Sequence, residues 1–338
     1  MQGTTIIDRR LVLAPMSGGP GTVELAAAVH GAGGFAFLAG AYLSVDELKA
    51  NIARLRELVG DAAFGVNLAV PVNAGAQSQQ QAEQYAELVR PVAEAAGAEL
   101  GAPTFSDDDF SAKLRLVVDE RVPVVSFAFG WPSLEVVHTV RAVGIEAWAT
   151  VNDASDAIRA EQQGFTGIIA QGWEAGGHRG GPEDDRQTPV TTMQLVRDVR
   201  ARVELPIIAA GGVMDAASLQ QLVDAGAVAV ACGTAFLCSD EAGTSETHRK
   251  ALGESRPSVV TKAFTGRFAR GLANAWTDQF ADAAPSAYPQ VHFVTAPVRA
   301  HGARIGDPEL LSLWAGTGAS RAQSAPAADI AEDLLGRR

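Results

Sequence analysis

The chain has 338 residues, 47% of them hydrophobic and 35 of them glycine, and its 39 acidic against 27 basic residues leave a net charge of −12. That length suits one large α/β barrel or two ordinary domains, and an acidic chain without a dense basic run argues against nucleic acid as a partner. Two cysteines, Cys232 and Cys238, make neither a disulfide framework nor a metal-ligand set. No stretch reaches the ~20 apolar residues of a membrane span, and no basic start leads into a long apolar segment, so a soluble, cytoplasmic protein without metal is expected.

Leu11 to Ala14 is a short apolar strand, broken at once by Pro15-Met16-Ser17-Gly18. Thr22 is placed to cap a helix that runs to His30 and stops at Gly31. Phe35 to Leu38 is a second strand. Ser44 and Glu47 have the spacing of a capping box for a helix through about Leu58. Phe64 to Leu68 is a third strand, with Asn67 near its end. Gln77 to Ala96 has helical composition, and 106–119 predicts another helix. Val122 to Phe127 and Glu146 to Thr150 read as the fourth and fifth strands. Helices capped by Ser133 and by Asn152 or Asp153 follow them. Gly167-Ile168-Ile169-Ala170 is the sixth strand, opening into Gln171 and a glycine loop with Glu174, Gly176, Gly177, His178 and Arg179. A helix starting at Thr191 or Thr192 leads to the seventh strand, Pro206 to Ala210, then Gly211-Gly212. A helix capped by Asp215 leads to the eighth, Val228 to Ala231, then Gly233-Thr234.

Continuous apolar strands are buried on both faces, as in parallel sheets. Eight such units before residue 235 match a (β/α)8 TIM barrel, which takes ~250 residues. An open doubly wound sheet is the rival. The barrel is preferred because polar and glycine positions are spread over many strand ends instead of gathering at one switch point. Residues 1–234 are therefore assigned to the barrel. Residues 235–338 do not continue the alternation and are assigned to a smaller C-terminal helical lobe packed on it, with His248 to Leu252 and Val259 to Lys262 helical or connecting.

In a barrel all strand ends open on one face, and anions are commonly held between the loops after strands seven and eight. Gly211, Gly212, Gly233 and Thr234 stand there, offering backbone N–H groups and a hydroxyl. The alternative for such glycines is a plain tight turn. His178 is the one histidine in a glycine loop after a strand, and an imidazole suits proton transfer near neutrality. His30, His138 and His248 fall in helical segments, and His292 and His301 flank apolar runs. Glu174 is a second possible acid or base. Asn67 and Gln171 are amides able to face the donor and acceptor edge of a flat ring, or to cap loose backbone. Met16 beside Pro15 could form a soft apolar wall.

Ala14-Pro15-Met16-Ser17-Gly18-Gly19, Phe64 to Leu68, Gln171 to Gly180, Ala210-Gly211-Gly212, Gly233-Thr234 and Trp314-Ala315-Gly316-Thr317-Gly318 occur in order along nearly the whole chain. Together they resemble the nitronate monooxygenase family, formerly the 2-nitropropane dioxygenases. The resemblance implies an FMN-containing barrel with a small helical lobe, and a catalytic histidine at His178. It implies flavin contacts at Ala14, Pro15, Met16, Asn67 and Gln171, and phosphate contacts at Gly176, Gly177, Gly211, Gly212, Gly233 and Thr234. The substrate pocket then includes Ser17, Gly18, Tyr288 and Thr317, the last replacing a Gln frequent in the family. The implied reaction is oxidation of alkyl nitronates, and by extension nitroalkanes, with O2 to carbonyl compounds and nitrite, by a monomer or homodimer. An FMN enzyme using NAD(P)H, of the enoyl-acyl-carrier-protein or quinone reductase type, is the alternative. A flavin-free barrel binding phosphate metabolites is a third reading.

Overall fold

A computed structural model describes residues 9–72, 75–182 and 189–338. Eight parallel strands close into a barrel: β1 (Leu11–Leu13), β2 (Phe35–Ala39), β3 (Gly65–Ala69), β4 (Val124–Ala128), β5 (Glu146–Val151), β6 (Gly167–Gln171), β8 (Ile207–Ala210) and β9 (Ala229–Cys232). Closure is the pairing of β1 with β9, Leu13 opposite Cys232. A two-residue strand, β7 (Gly177–His178), lies outside the barrel between β6 and β8 in sequence.

The strands alternate faces, as the pleat requires. Val12, Phe35, Phe37, Val124, Trp148, Ile169 and Ile208 fill the interior. Their sequence neighbours, such as Leu11, Leu13, Leu38, Val125 and Ile168, pack outward against the helices. Large residues are matched to small ones across neighbouring strands: a Cβ on Gly167 would stand 2.5 Å from the Trp148 ring.

The outer helices begin where side-chain caps are available. Thr22 caps α1 (Val23–Gly31), and Ser44 with Glu47 forms a full capping box on α2 (Val45–Val59). Ser133 caps α5 (Leu134–Ala142), Asp153 caps α6 (Ala154–Gln162), Thr191 caps α7 (Thr192–Arg200) and Asp215 caps α8 (Ala216–Asp224). Each satisfies an N–H that the first helical turn leaves unpaired. The helix expected in 106–119 is α4, shorter, at Phe110–Asp119.

Beyond the barrel the chain forms α9 (Glu246–Leu252), β10 (Ser258–Thr261), β11 (Ala269–Leu272), α10 (Ala275–Phe280), α11 (Gln290–Ile305) and α12 (Ala327–Leu334). The region around Val259, expected to be helical or connecting, is a strand. Val259 and Val260 pair antiparallel with Gly271 and Arg270, and β11 pairs in turn with β7. A stretch of only four residues with β-branched pairs gives no helical period to detect. α3 (Gly75–Ala95) leaves the barrel wall to pack on this part. Tyr85, Val89, Phe264, Trp276, Phe280, Val291 and Val294 make a second core there. α12 returns to lie on α1 and α8. Among the described residues no helix is long and apolar enough to cross a membrane.

Candidate active site

A cavity of about 350 Å³ opens at the carboxyl ends of the barrel strands, within the size range of small-molecule sites. Ala14, Pro15, Met16, Ser17 and Gly18 line it from the end of β1, Asn67 from β3 and Gln171 from β6. Gly176, Gly177 and His178 come from the loop beyond β6, Gly211 and Gly212 from β8, and Gly233 and Thr234 from β9. Tyr288 and Thr317 are not on its wall. Tyr288 packs edge-on against His178, ring centroids 5.9 Å apart, and the Thr317 N–H donates to the Glu174 carbonyl at 3.1 Å.

His178 does not sit in a free loop. It faces Ala269 of β11 across an antiparallel ladder, and the Arg179 N–H donates to the Phe268 carbonyl at 2.8 Å. Phe129, Tyr288 and Trp314 surround its ring at 5.4–5.9 Å. Nε2 lies 2.9 Å from Thr265 Oγ1, and that hydroxyl donates its single proton to the Arg267 carbonyl at 3.2 Å. With the hydroxyl proton given to the Arg267 carbonyl, Nε2 is the donor, and the neutral ring carries its proton there and leaves Nδ1 as an acceptor with no partner among the described residues. Burial first, then the charges of Arg267 and Arg299, push the imidazole down to about 3, so it is neutral at ordinary pH.

Gln171 fastens this loop. Its Oε1 accepts from the Gly180 N–H at 2.7 Å and from Asn152 Nδ2 at 2.9 Å, while its Nε2 donates to the His178 carbonyl at 2.9 Å. One Nε2 hydrogen is left over. Asn67 donates through Nδ2 to Ser126 Oγ at 2.9 Å, and its Oδ1 has no donor among the described residues. Glu174, considered as an acid or base, is instead bound to the start of α7. Its Oε2 accepts from the Thr192 N–H at 2.8 Å and Oγ1 at 3.0 Å, a placement the helix dipole favours.

The other rim of the cavity is backbone. Gly211 and Gly212 have φ of +127° and +77°, conformations that side chains disfavour. A Cβ on Gly211 would also strike Thr192 Oγ1 at 2.8 Å and Ala175 N at 2.9 Å. The N–H groups of Gly211, Gly212, Gly233 and Thr234 have no acceptor among the described residues. Thr234 Oγ1 accepts from the Gly316 N–H at 2.9 Å, which leaves its proton to give. The loop from Trp314 to Gly318 thus closes over both β6 and β9.

Several wall residues were not marked by the sequence. Tyr42 follows β2 with φ of 66° and stacks on His292 at 4.3 Å, 6° from parallel. Its hydroxyl is 3.2 Å from that of Tyr288. Thr265, His248, His292, Arg299 and Trp314 also line the cavity. Tyr42 was reachable by extending the strand-end rule to strand two. Trp314 opens the glycine loop already quoted for the resemblance, while Thr265, His248, His292 and Arg299 come from the lobe, and no local pattern singles them out.

The model of the family described as "Nitronate monooxygenase" matches residues 4–336. The chain belongs to the nitronate monooxygenase family. It is 32% identical over 337 residues to a probable nitronate monooxygenase of Staphylococcus aureus, covering 97% of this chain and 94% of that one. Among solved structures it is similar to a nitroalkane oxidase from Streptomyces ansochromogenes, with 38% identity, a TM-score of 0.94, and coverage of 99% of this chain and 96% of that one. FabK from Thermotoga maritima is 26% identical with a TM-score of 0.76, covering 98% and 94%. The closed barrel and these whole-chain likenesses make the protein an oxidoreductase of a family that is generally flavin-dependent.

Proposed function

We propose that the protein holds FMN across the barrel mouth and oxidises alkyl nitronates, and nitroalkanes after loss of their α-proton, with O2 to carbonyl compounds and nitrite. His178 carries the reading: a neutral imidazole whose Nδ1 has no partner among the described residues stands on the wall of a cavity also lined by backbone N–H groups without an acceptor among those residues.

The residues fit the cofactor. The N–H groups of Gly211, Gly212, Gly233 and Thr234 would hold the phosphate, since oriented amides with no protein acceptor favour an anion. Asn67 Oδ1 and the spare Gln171 Nε2 hydrogen would meet the ring edge, and Ala14, Pro15 and Met16 would back its apolar face. Gly176 and Gly177 would allow the loop to approach. When bound, the flavin supplies the redox chemistry between substrate and O2.

The chain's own residues handle binding and the proton. Nδ1 of His178 would take the α-proton of a neutral nitroalkane. A cation beside Arg267 and Arg299 is unfavourable, so that transfer is favoured only as a negative charge forms on the substrate. A nitronate, already ionised, needs no such base. Trp314 and Phe129 pack on the His178 ring and Met16 lines the same cavity, so the reacting groups would have apolar neighbours.

The test begins with an absorption spectrum of the pure protein, then anaerobic mixing with nitronate and, separately, NADPH. A yellow protein bleached by nitronate and only slowly by NADPH supports the reading. Fast bleaching by NADPH supports the reductase alternative, which the whole-chain similarity to a nitroalkane oxidase makes the less favoured one. A colourless protein that cannot be reconstituted with FMN removes both. In His178→Asn with FMN retained, turnover of nitroalkane should fall more than turnover of nitronate; no change in either would remove the histidine from the mechanism.

A further inference from the structure

We infer that the pocket selects its substrate as an anion and that Arg299 sets this selectivity, by supplying positive charge on the cavity wall and by fixing His292 as an Nε2–H donor. This deepens the proposed function and rests on it for the identity of the anion, a nitronate.

The chain is strongly acidic, yet the described residues lining the cavity include no Asp or Glu and one arginine, Arg299. Its guanidinium has no carboxylate partner among the described residues. Nη2 donates to the His292 carbonyl at 3.0 Å and contacts His292 Nδ1 at 3.1 Å, and Nε donates to Thr295 Oγ1 at 3.3 Å. Nη1 has no partner among the described residues. An arginine left without a counter-ion on a cavity wall favours an anion there.

The contact with Nδ1 has a second consequence. A guanidinium only donates, so Nδ1 must accept, and the proton of the neutral imidazole lies on Nε2. Burial and the Arg299 charge hold His292 neutral, down at about 2. His292 and Arg299 are seven residues apart on α11, two turns along the same side. His178 and His292 therefore hold the same Nε2–H tautomer but leave opposite nitrogens without a partner among the described residues: Nδ1 of His178, an acceptor for a C–H proton, and Nε2–H of His292, a donor for an oxyanion.

The strand order keeps this cluster apart from the phosphate rim. His292 stacks on Tyr42, beyond β2, and Tyr288 packs on Phe129, beyond β4. Gly211 and Gly233 follow β8 and β9, three and two strands round the ring from β2.

The experiment uses the full FMN-loaded chain, Arg299→Gln and Arg299→Lys, with ethyl nitronate, nitroethane, and nitrate as an unreactive anion followed by titration calorimetry. In Arg299→Gln, KM for the nitronate and Kd for nitrate should each rise about tenfold, while KM for nitroethane moves by less than about threefold. Arg299→Lys keeps the charge and should bind nitrate within about threefold of wild type. Nitrogen-15 NMR of labelled histidine should show His292 with Nε2 protonated in wild type and mixed tautomers in Arg299→Gln. Equal changes for nitronate and nitroethane, an unchanged nitrate Kd, or a lysine variant as weak as the glutamine one would overturn the inference. If wild type turned over neither substrate, the proposed function would fail, while nitrate affinity and the tautomer would still decide the role of Arg299.

Discussion

His178 Nε2 and Thr265 Oγ1 lie 2.9 Å apart, and the onward bond from Thr265 to the Arg267 carbonyl gives their contact its direction. The base proposed for the reaction is thus Nδ1, chosen by a threonine 87 residues away. Thr265→Val removes the acceptor and leaves either tautomer open. Turnover of nitroethane should fall by roughly tenfold, a fraction of the 10²–10⁴ typical of a general base, and Thr265→Ser should restore most of it. Steady-state rates for the two variants decide the point; a valine variant as fast as wild type would show that the tautomer does not matter.

The loop carrying His178 is pressed against the loop from Trp314 to Gly318. A Cβ on Gly176 would meet Gly316 N at 2.4 Å and Ala315 C at 2.5 Å, both backbone atoms that cannot swing aside. Gly177 has open space but a φ of +74°. Gly176→Ala should therefore cost about 1–3 kcal/mol through overpacking, and Gly177→Ala about 1–2 kcal/mol through the left-handed backbone alone. Urea midpoints at constant slope measure both, and a Gly176→Ala protein as stable as wild type would contradict the close approach.

Lys113 is 1% exposed, and its Nζ stands 2.8 Å from Asp108 Oδ2. Asp108 Oδ1 in turn accepts from the Tyr42 N–H at 3.0 Å, at the position where the chain is left-handed. The pair ties a barrel helix to a pocket wall. Lys113→Met leaves Asp108 without its cation and should destabilise by roughly 3 kcal/mol, the low end for a broken buried pair because the carboxylate keeps some solvent. The same variant should raise KM by loosening Tyr42. A urea curve that does not move would mean that the pair adds nothing net.

Buried histidines make stability pH-dependent, His178 and two others among them. Burial first, then neighbouring arginine charge, pushes His248 down to about 4 and His292 to about 2. Both are neutral in the fold, whereas the unfolded chain takes up their protons below ~6.5. Stability is thus complete above that pH and is lost as pH falls through the window toward the folded values. The slope is at most ~1.4 kcal/mol per pH unit for each group. Urea unfolding at pH 7.5 and pH 5 should show the loss, and His248→Gln should make the difference smaller. An equal difference in that variant would locate the acid sensitivity elsewhere.

The eight barrel strands were readable because each is a short apolar run bounded by glycine, proline or a polar cap. Ser44 with Glu47, Thr22, Ser133 and Asp215 marked helix starts through hydrogen bonds made within three residues. The site was legible where it rests on strand ends: Met16, Asn67, Gln171, Gly211 and Gly233 all line the cavity. Tyr288 and Thr317, placed in the pocket by resemblance, are not among the residues lining the cavity; Tyr288 packs on the wall residues His178 and Phe129, and the backbone N–H of Thr317 is bonded to the Glu174 carbonyl. β10 escaped because four residues show too little of any period.

What the chain determines by itself is the order of strands and helices and the glycine turns that follow them, since burial pattern, caps and backbone freedom are properties of neighbours in sequence. The tertiary structure alone decided which nitrogen of His178 and of His292 keeps its proton, and that Arg299 stands in the mouth without a counter-ion among the described residues. Those depend on α3, α10 and α11 packing the lobe over the barrel, which brings Thr265, Tyr42 and Arg299 together from segments far apart along the chain. Hydrogen-bond direction is fixed by what lies around a group, and no local pattern of residues records it.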